Sequence, residues 1–417
     1  MGDQKNLIVG FDLCESYTQL SVFNKKALEP ETINITVPTA LGIKNDKKEW
    51  LFGEEAYQLS AKGEGIVIDK LLEKVCLGED IEIFAVKFSP ITLMEKYLRK
   101  CLQILKKYYP TESILMLCIT LKQTNTILRE GILTALEALG IRKERVMIQN
   151  HTGSYGYYAL CQQKELWMSD IGLFDFDEEG LTYHQITIDR KSVPPLAAIS
   201  SKELNEELSF EQVMGSKDKE LLDRLNYFFL NLAKNTLHRQ YVTTLYVTGK
   251  GFEGTWADNA LKELCSGRRV FKGQNLYSKG ACYAAEKQVT KNTNEFILMD
   301  NEMITTDISI KGIKDGKLSD ILLIKGAQPW YNAKNSSDFI LDECNSIILY
   351  LKDRLKYQVR EETIELTDLP VRPSKTTRVE LQICFLDKET VKIIIKDKGF
   401  GTFYPPSNKK WIQEINI

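Results

Sequence analysis

Two segments of the chain alternate between apolar and polar positions on either side of a short connection. They lie at residues 7–23 and 170–188, and the connection in the second is an acidic turn that ends at Gly180. Alternation around such a turn predicts a β-hairpin. Each hairpin carries an aspartate at the end of its first strand, Asp12 and Asp175. We expect these two carboxylates to face one shared cleft.

Helical and strand patterns follow each hairpin. Apolar stripes spaced three and four residues apart predict helices near residues 90–109, 126–139, 150–159, 221–232, 256–264 and 276–286. Ser89 and Pro90 supply the N-cap hydroxyl and the first-turn proline of the first helix. A fully apolar run at residues 114–119 predicts a buried strand. The βββαβα pattern thus occurs twice, which predicts a duplicated α/β domain over residues 1–288.

The pattern changes after this domain. Residues 289–300 begin as a polar stretch and predict an interdomain linker. Beyond it, short strands follow one another, and apolar side chains alternate along residues 379–385. Short strands separated by turns predict an all-β sandwich domain over residues 301–417.

Composition and charge exclude several classes of protein. The chain has 55 basic and 57 acidic residues, a formal net charge of -2, which argues against a nucleic-acid-binding surface. It has no run of about 18 apolar residues, so we expect no membrane span, and no apolar signal region at its N-terminus. The nine cysteines are odd in number and form no C-x-x-C pair. We therefore expect buried thiols in a reducing cytoplasm, without disulfides or a metal site.

These elements, in this order, resemble the seventy-kilodalton heat-shock chaperones of the actin-like ATPase superfamily over almost the whole chain. Residues 9–13 are similar to the family's first phosphate strand, and residues 173–175 to its second. The C-terminal strands are similar to the family's peptide-binding β-domain, whose helical lid has no counterpart in this sequence. The resemblance implies an actin-like ATPase fold followed by a β-sandwich domain.

The resemblance also implies vestigial catalytic positions. Residues 68–70 look like the segment that delivers the family's catalytic lysine, which would be Lys70. Asn150 stands where the family has a water-activating glutamate. An amide can orient a water molecule but does not accept its proton. With Asp12 and Asp175 from the two phosphate strands, Lys70 and Asn150 complete the set of candidates.

The nucleotide-binding loops depart from the family's glycine-rich pattern. The altered loops comprise Cys14, Glu15, Ser16, Asp177, Glu178, Glu179 and Gly180 at the phosphates and Gly249, Lys250 and Gly251 in the adenosine motif. Phosphate cradles need glycines so that backbone N–H groups can approach the anion. A like-charge pair at ~4 Å costs ~4 kcal/mol near a protein surface, so four acidic side chains would oppose a triphosphate. We expect no bound cofactor; ATP with Mg²⁺ is the alternative.

Other interpretations of these residues stay open. The acidic turn matches the first half of a calcium loop, although its twelfth position is Ile186 and its flanks are strands. A solvated hairpin tip is the simpler alternative. His151 fits a helix start or a core better than a catalytic base. Neither Cys14 nor Ser16 has a partner histidine at a recognised spacing, so we expect no nucleophilic catalysis.

The sequence therefore predicts a cytoplasmic, heat-shock-seventy-like pseudo-ATPase that acts as a chaperone-like scaffold. Its partner would be a protein or an extended peptide, held by the C-terminal β-domain through strand-like backbone bonding. We expect no nucleic-acid or membrane partner. The alternatives are a working ATP-dependent chaperone and an actin-like cell-division or cytoskeletal protein.

Overall fold

The computed structural model describes residues 6–45, 49–204, 208–291 and 295–417. The chain divides into two compact units, Met1–Leu298 and Met299–Ile417. Within the described residues, no helix is long and apolar enough to cross a membrane.

The first unit is mixed α/β and the second is rich in strands. The helices are α1 (Glu54–Ala61), α2 (Leu71–Leu77), α3 (Pro90–Tyr108), α4 (Thr126–Ala138), α5 (His151–Leu160), α6 (Phe210–Gly215), α7 (Lys219–Thr236), α8 (Asp258–Leu264) and α9 (Leu276–Thr290). The strands up to residue 299 are β1 (Asn6–Leu13), β2 (Tyr17–Asn24), β3 (Glu29–Pro38), β4 (Leu41–Lys44), β5 (Trp50–Phe52), β6 (Gly65–Ile68), β7 (Ile81–Ile83), β8 (Val86–Phe88), β9 (Ser113–Leu121), β10 (Val146–Asn150), β11 (Asp170–Asp177), β12 (Gly180–Asp189), β13 (Leu196–Glu203), β14 (Val242–Thr248), β15 (Arg269–Lys272) and β16 (Ile297–Met299). The remaining strands are β17 (Thr306–Lys314), β18 (Lys317–Ile324), β19 (Lys334–Leu341), β20 (Ser346–Asp353), β21 (Val359–Glu365), β22 (Thr377–Phe385), β23 (Thr390–Gly399) and β24 (Lys410–Asn416).

The two larger sheets of the first unit share one pattern of strand order and direction. In the five-stranded sheet, β10-β9-β1-β2-β3, strand β1 is antiparallel to β2 and parallel to β9. In the six-stranded sheet, β15-β14-β11-β12-β13-β16, strand β11 is antiparallel to β12 and parallel to β14. Both predicted hairpins are therefore formed. Asp12 and Asp175 lie near the ends of β1 and β11, at equivalent places in the two sheets.

Local signals explain where the longest helix begins and which face it buries. Ser89 Oγ accepts the N–H of Thr92 and Pro90 occupies the first turn of α3, as predicted. The predicted stripe is also confirmed, because Met94 and Leu98 are fully buried. Helix α3 thereby covers the hydrophobic core of the five-stranded sheet.

The predicted linker at residues 289–300 contains regular structure. Helix α9 continues to Thr290, and Ile297–Met299 forms β16 next to β13. The Ile297 N–H donates to the Pro195 carbonyl at 2.8 Å. A sheet edge thus satisfies the backbone of this apolar segment. Residues 292–294 of the predicted linker lie outside the described residues.

The second unit contains two four-stranded antiparallel sheets, β18-β17-β20-β21 and β19-β22-β23-β24. Their apolar faces contribute to one core, with Ile308 and Leu349 from the first sheet and Val379 and Leu381 from the second. The alternation predicted for residues 379–385 is confirmed, because every second side chain of β22 is buried. The region is therefore β-rich, as expected.

Helices α5 and α9 cross at very short distance. A methyl group on Gly280 of α9 would lie 1.9 Å from the Ser154 carbonyl oxygen of α5. Strand β1 is equally close, because a methyl group on Gly10 would lie 2.0 Å from the Ser278 carbonyl oxygen of α9. No side chain fits these contacts, which explains the glycines. The crossing brings the first turns of α5 and α9 beside the ends of β1 and β11.

We predict that Gly280→Ala lowers the free energy of unfolding by about 3 kcal/mol, the upper part of the usual range for overpacking. The added methyl meets backbone of α5, which cannot rotate away as a side chain would. Urea unfolding followed by circular dichroism measures the change. Gly215→Ala in α6 is the matched control, because no atom lies within 4 Å of its added methyl. An equal loss in both variants would contradict the close-contact explanation.

Candidate functional site

Four buried side chains connect the ends of the two hairpins. His151 Nε2 lies 2.8 Å from Asp12 Oδ1, and the Tyr277 hydroxyl donates to Asp175 Oδ2 at 2.5 Å. The His151 and Tyr277 rings stack, with centroids 3.8 Å apart and planes 12° apart. We call Asp12, His151, Tyr277 and Asp175 the stacked bridge. It places both predicted carboxylates on one continuous set of contacts.

Cys14 adds a thiol to one end of the stacked bridge. It lies two residues beyond Asp12, a spacing that directs both side chains to the same side of an extended chain. Its Sγ is 3.4 Å from Asp12 Oδ1 and 3.7 Å from His151 Nε2. Burial first, and then the charge of Asp12, raise the pKa of the Cys14 thiol well above its ordinary value. The protonated thiol is not an activated nucleophile.

The acidic hairpin tip is paired with two lysines. Asp177 pairs with Gly180 across a two-residue turn. Lys122 Nζ lies 2.7 Å from Asp177 Oδ2 and 2.9 Å from Glu179 Oε2, and Lys250 Nζ lies 3.2 Å from Glu178 Oε1. In the sequence these three carboxylates count as charges that would oppose a triphosphate; in the fold each one has a cationic partner.

Glu15 binds the start of helix α2. Its two carboxylate oxygens accept the backbone N–H groups of Leu72 and Glu73, at 3.1 and 3.0 Å. These first-turn N–H groups have no partner within their own helix and commonly bind anions. Glu15 is therefore an internal anion at a helix N-terminus, and not the free charge that the sequence suggested.

Two further candidates, Asn150 and Lys70, make contacts within their own helix. Asn150 is the N-cap of α5, where its Oδ1 accepts the Gly153 N–H at 2.8 Å and the Thr152 hydroxyl at 2.9 Å. Lys70 begins α2 in a left-handed conformation with φ of 50°. Its side chain is 65% exposed and lies 3.4 Å from Glu73. Neither side chain lines the small cavity between residues 13–17 and residues 177–179.

The glycines of the predicted adenosine motif serve close packing. Gly249 has φ of 97°, and a methyl group on it would lie 2.2 Å from the Phe176 carbonyl oxygen. A methyl group on Gly251 would lie 2.3 Å from the Phe176 ring. Phe176 in turn contacts the Phe252 ring in an edge-on geometry. These glycines let the turn after β14 approach β11, which explains them without a nucleotide.

A small cavity lies at the hairpin tips. Its volume is about 140 Å³, and its lining includes Cys14, Ser16, Tyr17, Lys122 and Asp177. Sites for small molecules usually measure roughly 300–1,000 Å³. The cavity is thus smaller than the usual range for small-molecule sites.

Sequence reasoning missed two residues of this site, Lys122 and Tyr277. Lys122 follows the apolar strand β9, which is parallel to β1, so both strands end at the same edge of the sheet. Tyr277 stands in the first turn of α9. A polar residue just beyond a buried strand was the available signal for Lys122. For Tyr277 no local pattern marks the stacking partner, which is 126 residues away along the chain (277 − 151).

The fold and the site define a class of protein: a mixed α/β unit whose cleft lysines and helix N–H donors are paired with its own carboxylates, followed by a β-rich unit. The chain belongs to the family of unknown function DUF5716, whose C-terminal model matches residues 25–301. Residues 303–417 match a domain of unknown function, DUF8552. No curated protein is matched by the chain. The boundary between the two matches lies within a few residues of the division between the two units.

The buried carboxyl group of Asp175 makes the stability of the folded chain depend on pH. Burial first, and then repulsion by Asp177, raise the pKa of Asp175 to about 6, against the opposing hydrogen bond from Tyr277. The folded chain therefore keeps a proton that an unfolded Asp releases near pH ~4. The unfolded state binds fewer protons in this window, so the contribution of Asp175 to stability is lost as the pH rises toward about 6.

We predict that Asp175→Asn is more stable than the wild type at pH 8, by up to about 3 kcal/mol for a shift of this size. The amide keeps an acceptor for Tyr277 without a buried charge. Most of the difference should disappear by pH 4, because Asp175 is then protonated in the folded state and about half protonated in the unfolded state. Urea unfolding between pH 4 and 8 measures it. The exposed Asp80→Asn is the control; a pH-independent difference for Asp175→Asn would contradict the prediction.

Proposed function

We propose that this protein is a heat-shock-seventy-like pseudo-ATPase that works as a protein- or peptide-binding scaffold without hydrolysing ATP. The shared order and direction of the two large sheets support a duplicated actin-like first unit. The two antiparallel sheets of the second unit support the likeness to a peptide-binding β-domain. Fold alone does not determine function, so the proposal depends on the chemistry of the site.

The observation that carries the proposal is that the lysines and N–H donors of the cleft are already paired with carboxylates of the same chain. Glu15 takes the N–H donors at the start of α2, and Lys122 is held by two carboxylates of the hairpin tip. A triphosphate needs both kinds of group, free donors and free cations. Here each group already has an anionic partner, so a nucleotide would have to displace it.

Two of the candidate catalytic positions also argue against hydrolysis. A base that activates water must accept a proton, and Asn150 has an amide whose oxygen already caps α5. Lys70 is exposed and paired with Glu73. The buried thiol of Cys14 replaces a loop glycine. These features support a scaffold in which the actin-like unit is a structural support.

The edge of the β-rich unit supports the proposed partner. Strand β18 ends one sheet, and edge strands can accept an additional strand from a partner. At the tip of its hairpin, Leu318 faces Ile313 across the ladder, and these side chains are 76% and 72% exposed. Leu322 is also exposed on the same strand. An extended peptide with alternating apolar side chains fits such an edge.

We predict that isothermal titration with Mg-ATP shows no saturable binding at micromolar nucleotide, and that phosphate release equals the protein-free rate. The reason is that Glu15 already binds the N–H groups at the start of α2 and that Lys122 is already paired with Asp177. The wild type and Asp175→Asn should behave alike in both assays. Micromolar affinity, or turnover that Asp175→Asn abolishes, would refute the pseudo-ATPase proposal.

The proposed binding of a peptide at strand β18 gives a separate prediction. A labelled peptide with alternating leucines should bind the full chain, and Leu318→Lys should weaken this binding at least ~10-fold, since a charge replaces an apolar contact at the edge. Fluorescence anisotropy measures the affinity. Ile412→Lys is the matched control, because Ile412 is 54% exposed on β24, an edge strand of the other sheet. Equal effects of the two substitutions would rule out β18 as the binding edge.

A further inference from the structure

The region between β1 and α5 contains three different metal-binding side chains that converge. Asp12, Cys14 and His151 each offer one donor atom, and the three atoms lie within 4.8 Å of one another. All three side chains are buried. Buried polar groups of this kind are usually paired with each other or bound to a metal.

The distances between the donors approach those of a tetrahedral zinc site. With Zn–S of about 2.3 Å and Zn–N or Zn–O of about 2.0–2.2 Å, tetrahedral donors lie roughly 3.3–3.6 Å apart. The Cys14 sulfur lies 3.4 Å from Asp12 Oδ1 and 3.7 Å from His151 Nε2. The remaining pair, Asp12 Oδ1 and His151 Nε2, is 2.8 Å apart. A hydrogen bond explains this shorter distance, and a small rotation of the carboxylate would open it.

The contacts to His151 do not form a nucleophilic relay. In a catalytic triad the acid and the nucleophile bind opposite ring nitrogens of the histidine. Here Asp12 and Cys14 both approach Nε2. Convergence of a carboxylate oxygen and a sulfur on the same nitrogen is the arrangement expected when all three donors surround one point.

Outer contacts hold the imidazole in this orientation. The Tyr277 ring stacks on His151, and the Tyr277 hydroxyl is fixed by Asp175. Outer partners that orient a ligand are a regular part of metal sites. Cys14 also lines the cavity at the hairpin tips, which gives an ion a path to the three donors.

We propose that Asp12, Cys14 and His151 form a Zn²⁺ site with three protein ligands. Carboxylate, thiolate and imidazole donors together suit zinc. Binding would replace the Cys14 thiol proton, which is released to solvent, with a sulfur–zinc bond. The remaining coordination position would be available to water or another ligand. This site does not depend on the proposed scaffold function, because its ligands need neither nucleotide nor peptide.

Cobalt titration of the full chain tests the site. After treatment with EDTA, the protein should bind one Co²⁺ per chain, with a thiolate-to-cobalt charge-transfer band and the visible bands of four-coordinate cobalt. Zn²⁺ should remove these bands and raise the Tm, because it binds the folded state. Cys14→Ser and His151→Gln should each weaken Zn²⁺ affinity by more than about 100-fold, since loss of an outer partner alone costs about 10- to 100-fold.

The exposed thiols provide the matched control. Cys265→Ser and Cys344→Ser remove two exposed cysteines and should leave the cobalt bands unchanged. Circular dichroism checks that each variant is folded. If Cys14→Ser does not fold, Tyr277→Phe replaces it in the test. This variant keeps the stacked ring and loses the outer contact to Asp175, so it should weaken Zn²⁺ affinity by about 10- to 100-fold. A wild-type chain without the thiolate–cobalt band overturns the proposal whatever the variants do. So does a band that persists in folded Cys14→Ser or His151→Gln.

Discussion

The stacking of His151 on Tyr277 is the contact on which the arrangement of the cleft depends. It joins the first turn of α5 to the first turn of α9, and each ring holds one hairpin carboxylate. The contact exists because the two helices approach closely, which in turn requires glycine at position 280. The close approach of the helices at Gly280 and the stacking of the rings at their N-terminal ends therefore depend on each other. The glycines set the distance and the rings fix the alignment.

Elements defined by local pattern could be predicted from the sequence. The two hairpins, the N-terminus of α3 and the alternation in β22 follow from spacing, capping and period. The linker was less well predicted. A polar stretch is a compositional signal, whereas β16 depends on a distant neighbouring segment, at Pro195, that the local sequence does not specify.

The site was predicted by position but not by contact. Asp12 and Asp175 lie where the hairpin pattern put them, yet the partners of the acidic residues come from distant segments. Lys122 is 55 residues away from Asp177, and His151 is 139 residues away from Asp12. Charges counted along a sequence appear free, whereas in three dimensions they are paired. The expectation of no metal site was based on cysteine count and spacing alone. The group Asp12, Cys14 and His151 could not be recognised in this way, because His151 comes from a distant segment.

The position of Glu15 has a consequence for how such a protein responds to its surroundings. In an enzyme that binds an anion at a helix N-terminus, the order of that helix rises and falls with the supply of the anion. Here the chain carries its own anion, covalently attached and always present. Under the proposed function, the order of this loop therefore does not depend on the supply of a bound nucleotide.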